Sequence, residues 1–275
     1  MRLGLEARDV SARLMRLAII LAVLFLALYV FIYIKQPFPG NQNDLWLNVL
    51  TPFSAAMSAV AVTMVWLKFD SADAPRKIWN RFAIAIWLWA VAEILWSYYT
   101  VKLGEAGLGP QDLFWIAAYY FMAEALVRQY HLLAQPAMRY LIYRIIMMVL
   151  VTILLTVFTA AFLGRTADIT LEDWVNSFYP AADLAIAVAA VWLVRHFSGG
   201  ALARPWLSLL VFTFSDSLFA WLDASDKYAW SLAQTNFLSA LSDTIYVAAY
   251  VVLALGAFSQ WLFLKYGLRS PTKAR

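Results

Sequence analysis

The sequence predicts an all-α integral membrane protein whose helices cross the bilayer eight times. Of its 275 residues, 64% are hydrophobic and only 14% are charged, whereas soluble domains are roughly half apolar and a quarter charged. Apolar runs of about 20 residues recur along the chain, which is the length that spans the hydrocarbon layer as a helix. The runs are continuous and do not alternate with polar residues, so they predict helices and not the strands of a barrel.

Eight apolar runs define the predicted spans, numbered from the N-terminus. They cover residues 17–34, 50–67, 78–101, 113–131, 141–163, 175–194, 205–222 and 242–264. Arg13 and Arg16 precede the first span, but this span is longer than a signal-peptide core and no small-residue cleavage site follows it. We therefore expect it to remain as a membrane anchor.

Basic residues predict the orientation of the spans. If the N-terminus is cytoplasmic, all but four of the 21 Lys and Arg residues lie on the cytoplasmic side, the exceptions being Lys35, Lys102, Arg165 and Lys227. Lys and Arg beside a span resist translocation, so both termini are predicted to be cytoplasmic, in a membrane that we expect to be the bacterial cytoplasmic membrane. Orientation also accounts for the formal net charge of +4, so membrane lipids are expected partners and nucleic acid is not.

Several kinds of site are excluded by residue type. The chain has no Cys, which excludes disulfides, thiolate metal sites and a Cys nucleophile. His131 and His196 lie on different spans without an HExxH neighbour, so no metal site is expected. Neither a serine nucleophile elbow nor a phosphate-binding or dinucleotide-binding loop is present, and no cofactor is expected.

An internal repeat is indicated, with two parallel four-helix units at residues 1–135 and 136–275. The inner acid of each half is flanked by aromatic residues at the same spacing, as Trp89, Glu93 and Trp96 and as Phe212, Asp216 and Phe219. A second acid opens the last span of each half and is followed by aromatic residues at three and seven positions, as Asp112, Trp115 and Tyr119 and as Asp243, Tyr246 and Tyr250. Each set lies on one helical face.

Carboxylates within the spans define the candidate ligand-binding site, because a charged group in lipid is costly and usually faces the protein interior. All of them fall in the predicted outer half of the membrane. With the neighbouring aromatics, the candidate residues are Glu93, Trp96, Asp112, Tyr119, Asp183, Asp216, Asp243 and Tyr246. We expect them to line a cavity that opens outward and binds a small amphiphilic ligand or signal.

Structural roles are the alternatives for these acids. Asp112 and Asp243 at helix starts could cap free backbone N–H groups. Glu93 and Asp216 lie in mid-helix, where a hydrogen bond to a neighbouring helix is the alternative. Glu124 lies four residues before Arg128 near the cytoplasmic boundary and is expected to form an ion pair with it.

The segment 87–99, WLWAVAEILWSYY, with Gly109-Pro110-Gln111-Asp112 after it, resembles the eight-helix membrane regions that precede bacterial diguanylate cyclase and histidine kinase domains. The likeness continues in YPAAD at 179–183 and SDTIY at 242–246, and it covers most of the chain. It implies a sensory function. Because the sequence ends shortly after its last predicted span, we expect a detached sensor that acts through a cytoplasmic or membrane partner.

The segment 214–218, FSDSL, resembles the S-D motif in the second half of the YhhN family of membrane lysoplasmalogenases, which also have eight helices. Ala92-Glu93 stands where the family has a G-D motif, and Thr51-Pro52-Phe53 stands where it has K-P-L. The resemblance implies that Glu93 and Asp216 are the catalytic acid and base for adding water to a vinyl-ether lipid, which requires one protonated and one ionised carboxyl group.

A proton-coupled transporter is a further alternative, because parallel repeats with intramembrane acids also suit such carriers. The spans lack the paired Gly or Pro interruptions at mid-membrane that broken transporter helices contain. Whether the protein is an enzyme therefore remains open from the sequence.

Overall fold

The structure is a computed structural model, and it describes residues 2–104, 107–133, 170–197, 202–225, 227–229 and 232–267. Within these ranges every element is helical and there is no strand. The predicted fifth span, at 141–163, lies outside the described residues.

Seven long helices cover the other predicted spans to within two residues. They are α1 (Arg2–Lys35), α2 (Gln42–Trp66), α3 (Ala74–Leu103), α4 (Pro110–Leu133), α5 (Leu171–His196), α6 (Arg204–Ala224) and α7 (Phe237–Leu262). A short 3-10 helix, Leu232–Gln234, precedes α7, and a π-helical turn, Phe263–Gly267, follows it. Each helix begins before its predicted span. In α1 to α6 the added residues include polar ones, which continue the helix without adding to the apolar run.

The helices are those of a multi-pass integral membrane protein. By length and composition, six of them could cross a membrane, namely α1, α2, α3, α5, α6 and α7. The fourth predicted span, α4, is not among the six. Charged and amide side chains interrupt it, namely Gln111, Asp112, Glu124, Arg128 and Gln129, although it buries Ala118 and Met122 fully in the bundle.

Small residues allow the helices of the bundle core to approach closely. The main contacts join α3 to α2 and α4, and join α7 to α2 and α6. At Gly256 on α7, a Cβ atom would lie 2.9 Å from the carbonyl carbon of Arg204 and from the nitrogen of Pro205. The backbone at the start of α6 therefore packs directly on α7.

Basic residues collect at one end of the bundle, which we call the basic end. At this end α1, α3 and α6 begin and α2, α4, α5 and α7 finish. Its basic side chains include Lys68, Arg76, Lys77, Arg81, Arg128, Arg195, Arg204 and Lys265.

Glu124 forms ion pairs at the basic end. Its Oε1 lies 2.5 Å from Arg128 Nη2, which confirms the predicted pair four residues apart. Its Oε2 lies 3.0 Å from Arg81 Nε. The second pair depends on the packing of α3 against α4, which the local sequence does not specify.

Candidate functional site

A cavity of about 690 Å³ lies in the half of the bundle opposite the basic end. Its walls come from all seven helices and from the connections between α3 and α4 and between α6 and α7. The lining includes seven of the eight candidate residues, namely Glu93, Trp96, Asp112, Tyr119, Asp216, Asp243 and Tyr246. Asp183, the eighth, lies behind the wall and contacts two of them.

Glu93 lies on α3 and is held by donors from two other helices. Its side chain is 2% exposed. Its Oε1 accepts a hydrogen bond from the Tyr250 hydroxyl at 3.0 Å and a shorter one from the Tyr246 hydroxyl, both on α7. The side chain of Trp115 on α4 supplies a further hydrogen bond. This buried mid-helix carboxyl group therefore joins α3, α4 and α7.

Helices α4 and α5 exchange a reciprocal pair of acid–phenol hydrogen bonds. The Tyr119 hydroxyl on α4 donates to Asp183 Oδ1 on α5 at 2.6 Å. The Tyr179 hydroxyl on α5 donates to Asp112 Oδ1 on α4 at 2.6 Å. Asp112 and Tyr119 are seven residues apart on α4, and Tyr179 and Asp183 are four residues apart on α5. Each of these two pairs therefore lies on one face of its helix.

Asp183 also lies within hydrogen-bonding reach of the Asp216 carboxyl group on α6. Two carboxyl groups in such contact attract each other only when one of them carries a proton, because two bare carboxylates would repel each other. In the described part of the chain, Asp183 Oδ2 is buried without a hydrogen-bond donor. The hydrogen bonds described for Glu93 go to Tyr246, Tyr250 and Trp115 and not to Asp216. The neighbour of Asp216 is thus Asp183.

Asp243 on α7 connects α1 to the segment that leads into α7. Its Oδ2 accepts a hydrogen bond from Tyr33 on α1, and its Oδ1 accepts one from Tyr228, both at 2.8 Å. Burial and the neighbouring Asp243 carboxyl group raise the pKa of Tyr228 well above its ordinary value. This phenol therefore keeps its proton and acts as the donor.

The expectation that Asp243 opens a helix is wrong. Helix α7 begins at Phe237, and its cap is Asn236, whose Oδ1 accepts from the backbone N–H of Leu238 and of Ser239 at 3.0 Å. Asp243 therefore lies inside the helix, where capping does not explain it.

Asp112 does lie in a first turn, and its Oδ2 accepts from Gly109 N at 2.8 Å. This is the reach-back bond of a capping box. Asp112 thus combines a structural bond with a position in the cavity wall.

No family model, curated protein or solved structure matches this chain. In the residues that the structure describes, no group of three or more His, Asp or Glu side chains is placed to hold a metal ion. The role of the cavity must therefore be inferred from its geometry and chemistry.

Sequence reasoning included Tyr119 and Tyr246 among the candidate residues, but it did not include Tyr33, Tyr179 or Tyr228, which also donate to the acids. Tyr179 carried a local signal, since it lies four residues before Asp183 on the same face of α5. Tyr33 carried none, because it meets Asp243 from 210 positions away in the chain.

Proposed function

We propose that this protein is a multi-pass component of the bacterial cytoplasmic membrane that binds a small amphiphilic ligand or signal in its cavity. It then acts as a sensory or accessory component for a cytoplasmic or membrane partner. The cavity is the observation that carries the proposal, because about 690 Å³ of space lies among acids and aromatic rings. Ligand sites commonly enclose 300–1,000 Å³ and combine apolar walls with a few placed polar groups.

The walls of the cavity suit an amphiphile. Leu47, Leu108, Pro180 and Ala220 provide apolar surface, whereas the carboxyl groups lie on the helices around them. A ligand with a polar head and a short apolar chain would satisfy both kinds of surface.

The proposed topology places both termini in the cytoplasm and the cavity in the outer half of the membrane. The concentration of Lys and Arg at the basic end supports this orientation, because such residues remain on the cytoplasmic side. The cavity would then receive its ligand from outside the cell or from the outer leaflet.

The proposed repeat relates α2, α3 and α4 to α5, α6 and α7. Helix α3 packs on α2 and α4, and its counterpart α6 packs on α5 and α7. The contact between α2 and α7 corresponds to the contact between α5 and α4. Trp89 lies edge-on to Tyr119 with ring centroids 5.8 Å apart, and Phe212 lies edge-on to Tyr250 at 4.7 Å. Trp89 and Phe212 contact each other at 5.1 Å, which supports a pseudo-twofold axis between them.

Binding can be tested with bromohexyltrimethylammonium and bromohexyl glucoside, whose bromine quenches Trp fluorescence on contact. Trp89, Trp96 and Trp115 line the cavity and would report an occupant. In nanodiscs of zwitterionic lipid we expect saturable quenching by at least one probe. Ala220→Phe, which fills the cavity, should weaken it about tenfold or more, because the inserted ring takes the space of the ligand.

The matched control is Leu207→Phe, at an exposed position of the same helix, and it should leave the quenching unchanged. Quenching that never saturates with either probe, or that Ala220→Phe leaves intact, would contradict binding in the cavity.

Hydrolysis of a lysoplasmalogen-type lipid is a second candidate, favoured by the contact between Asp183 and Asp216. A carboxyl pair that shares one proton offers an acid and a base side by side for addition of water. The test is release of fatty aldehyde from a lysoplasmenyl lipid by the native protein and by folded Asp183→Asn, Asp216→Asn and Glu93→Gln variants. Release that disappears in the Asp183 and Asp216 variants would establish the enzyme, and no release above the variants would exclude this reaction.

A further inference from the structure

We infer that the ligand of the cavity carries a positively charged head group, an alkylammonium ion, which aromatic rings and carboxylates bind together. The inference rests on the proposed function, because it names the class of ligand that the same cavity binds.

Apart from tyrosines, the ionisable side chains described in the lining are all acids. Its ionisable acids are Asp44, Glu93, Asp112, Glu172, Asp216, Asp223 and Asp243, and among the described residues it contains no Lys, Arg or His. The chain as a whole has more basic residues than acidic ones, 21 against 17. The acidity of the cavity is therefore a local feature and does not follow from composition.

Among the described residues, no Lys, Arg or His forms an ion pair with Glu93 or Asp243. Within the described ranges, the ion pairs both involve Glu124 at the basic end. Glu93 and Asp243 accept hydrogen bonds from phenols instead. A phenol stabilises a carboxylate oxygen but leaves its charge in place, so a cation that enters the cavity gains the uncompensated attraction.

Aromatic rings surround these acids on the cavity side. Trp96 and Trp115 face each other with ring centroids 5.5 Å apart and an interplanar angle of 52°, which forms an open corner, and Trp115 bonds Glu93. The face of a Trp ring attracts a cation, and aromatic cages with acids are the usual receptors of quaternary ammonium groups. The combination discriminates an ammonium ion from a neutral head of similar size.

Other head groups fit less well. An anion such as a sulfate or phosphate would meet acids and find no basic side chain among the described lining residues. A bare metal ion finds no group of three or more suitable ligands among the described residues. A neutral sugar would leave the carboxylates without a positive partner, and it would gain little from the ring faces.

The test compares hexyltrimethylammonium, hexyl glucoside and hexyl sulfate as competitors of the brominated ammonium probe. The protein is held in nanodiscs of zwitterionic lipid at physiological salt, so that surface electrostatics are screened. We expect the ammonium compound to compete at about tenfold lower concentration than the glucoside, with the sulfate weakest.

Removing a central charge should reduce this preference. In Glu93→Gln and Asp243→Asn we expect the preference, measured as the glucoside concentration divided by the ammonium concentration that gives equal competition, to fall several-fold. Asp70→Asn, which removes an acid from the exposed turn between α2 and α3, should leave the ratio unchanged.

The outcomes separate the two proposals. Equal competition by ammonium and glucoside, or stronger competition by the sulfate, would overturn the cationic ligand and leave the cavity as a binding site. If neither brominated probe shows saturable quenching that Ala220→Phe weakens, the binding proposal and this inference both fail. The head-group series uses the native protein, so it tests the cationic ligand even if an acid variant does not fold.

Discussion

Phenol hydroxyls hold the buried acids of this protein where basic side chains would be expected. Burying a carboxyl group without partners is costly, and Tyr119, Tyr179, Tyr246 and Tyr250 supply the necessary donors across helices. A Lys or Arg would have neutralised the charge and filled the space. The phenols stabilise the fold and keep the cavity acidic.

The hydrogen bond from Tyr119 to Asp183 gives a prediction for a single residue. Tyr119→Phe leaves Asp183 Oδ1 without this donor, so we expect the free energy of unfolding to fall by about 1–3 kcal/mol. Unfolding followed by circular dichroism in detergent measures it. Tyr120→Phe is the matched control, because the adjacent Tyr120 is 67% exposed, and it should change stability little. Equal effects of the two substitutions would contradict the structural role of the bond.

The acids of the site and two of their partners, Tyr119 and Tyr246, were predictable from the sequence, whereas the contacts between them were not. A carboxylate within an apolar run is visible in the chain, which is why Glu93, Asp183 and Asp216 were candidates. The contact of Asp216 with Asp183, and not with Glu93, depends on how α5 and α6 pack. Apolar patterns locate helices but carry little information about which faces meet.

At the scale of helices, the apolar runs predicted the elements well and their starts poorly. Helix α1 begins at Arg2 and α2 at Gln42, in polar sequence that an apolar pattern does not detect. Asp243 was misread for a different reason, because the predicted span began at Ser242 although the mainly apolar residues Phe237 to Leu241 precede it within α7. The eight-span count stays a prediction, since α4 is not among the six apolar helices and 141–163 is not described.

The close contact of α7 with the start of α6 gives a prediction at this scale. In Gly256→Ala the added methyl group meets backbone atoms of Arg204 and Pro205 at 2.9 Å, and backbone cannot rotate away as a side chain can. We expect the free energy of unfolding to fall by about 1–3 kcal/mol. The steric clash should cost more than the higher helix propensity of Ala gains. Thermal unfolding in detergent measures the change.

Gly107→Ala is the control for that substitution. A Cβ atom at Gly107 would find its nearest neighbour at 4.0 Å, so the added methyl group should be tolerated. A Gly256→Ala variant as stable as Gly107→Ala would show that α6 and α7 do not approach as closely as described.

For the whole molecule, the proposed topology can be tested because the chain has no Cys. Single Cys residues at Gln42 and Gly107 lie at the end opposite the basic end, and one at Ser71 lies at the basic end. In intact cells we expect a membrane-impermeant maleimide to label Gln42→Cys and Gly107→Cys. Ser71→Cys should react only after permeabilisation. The reverse pattern would place the cavity on the cytoplasmic side.

The most direct measurement is to locate a bound cation by anomalous diffraction from crystals grown with bromohexyltrimethylammonium. We predict a bromine peak inside the cavity, with the ammonium group beside Trp96 and Glu93 and the chain toward Leu47 and Ala220. Bromine peaks only on the lipid-facing surface, with the cavity free of ligand density, would contradict the account.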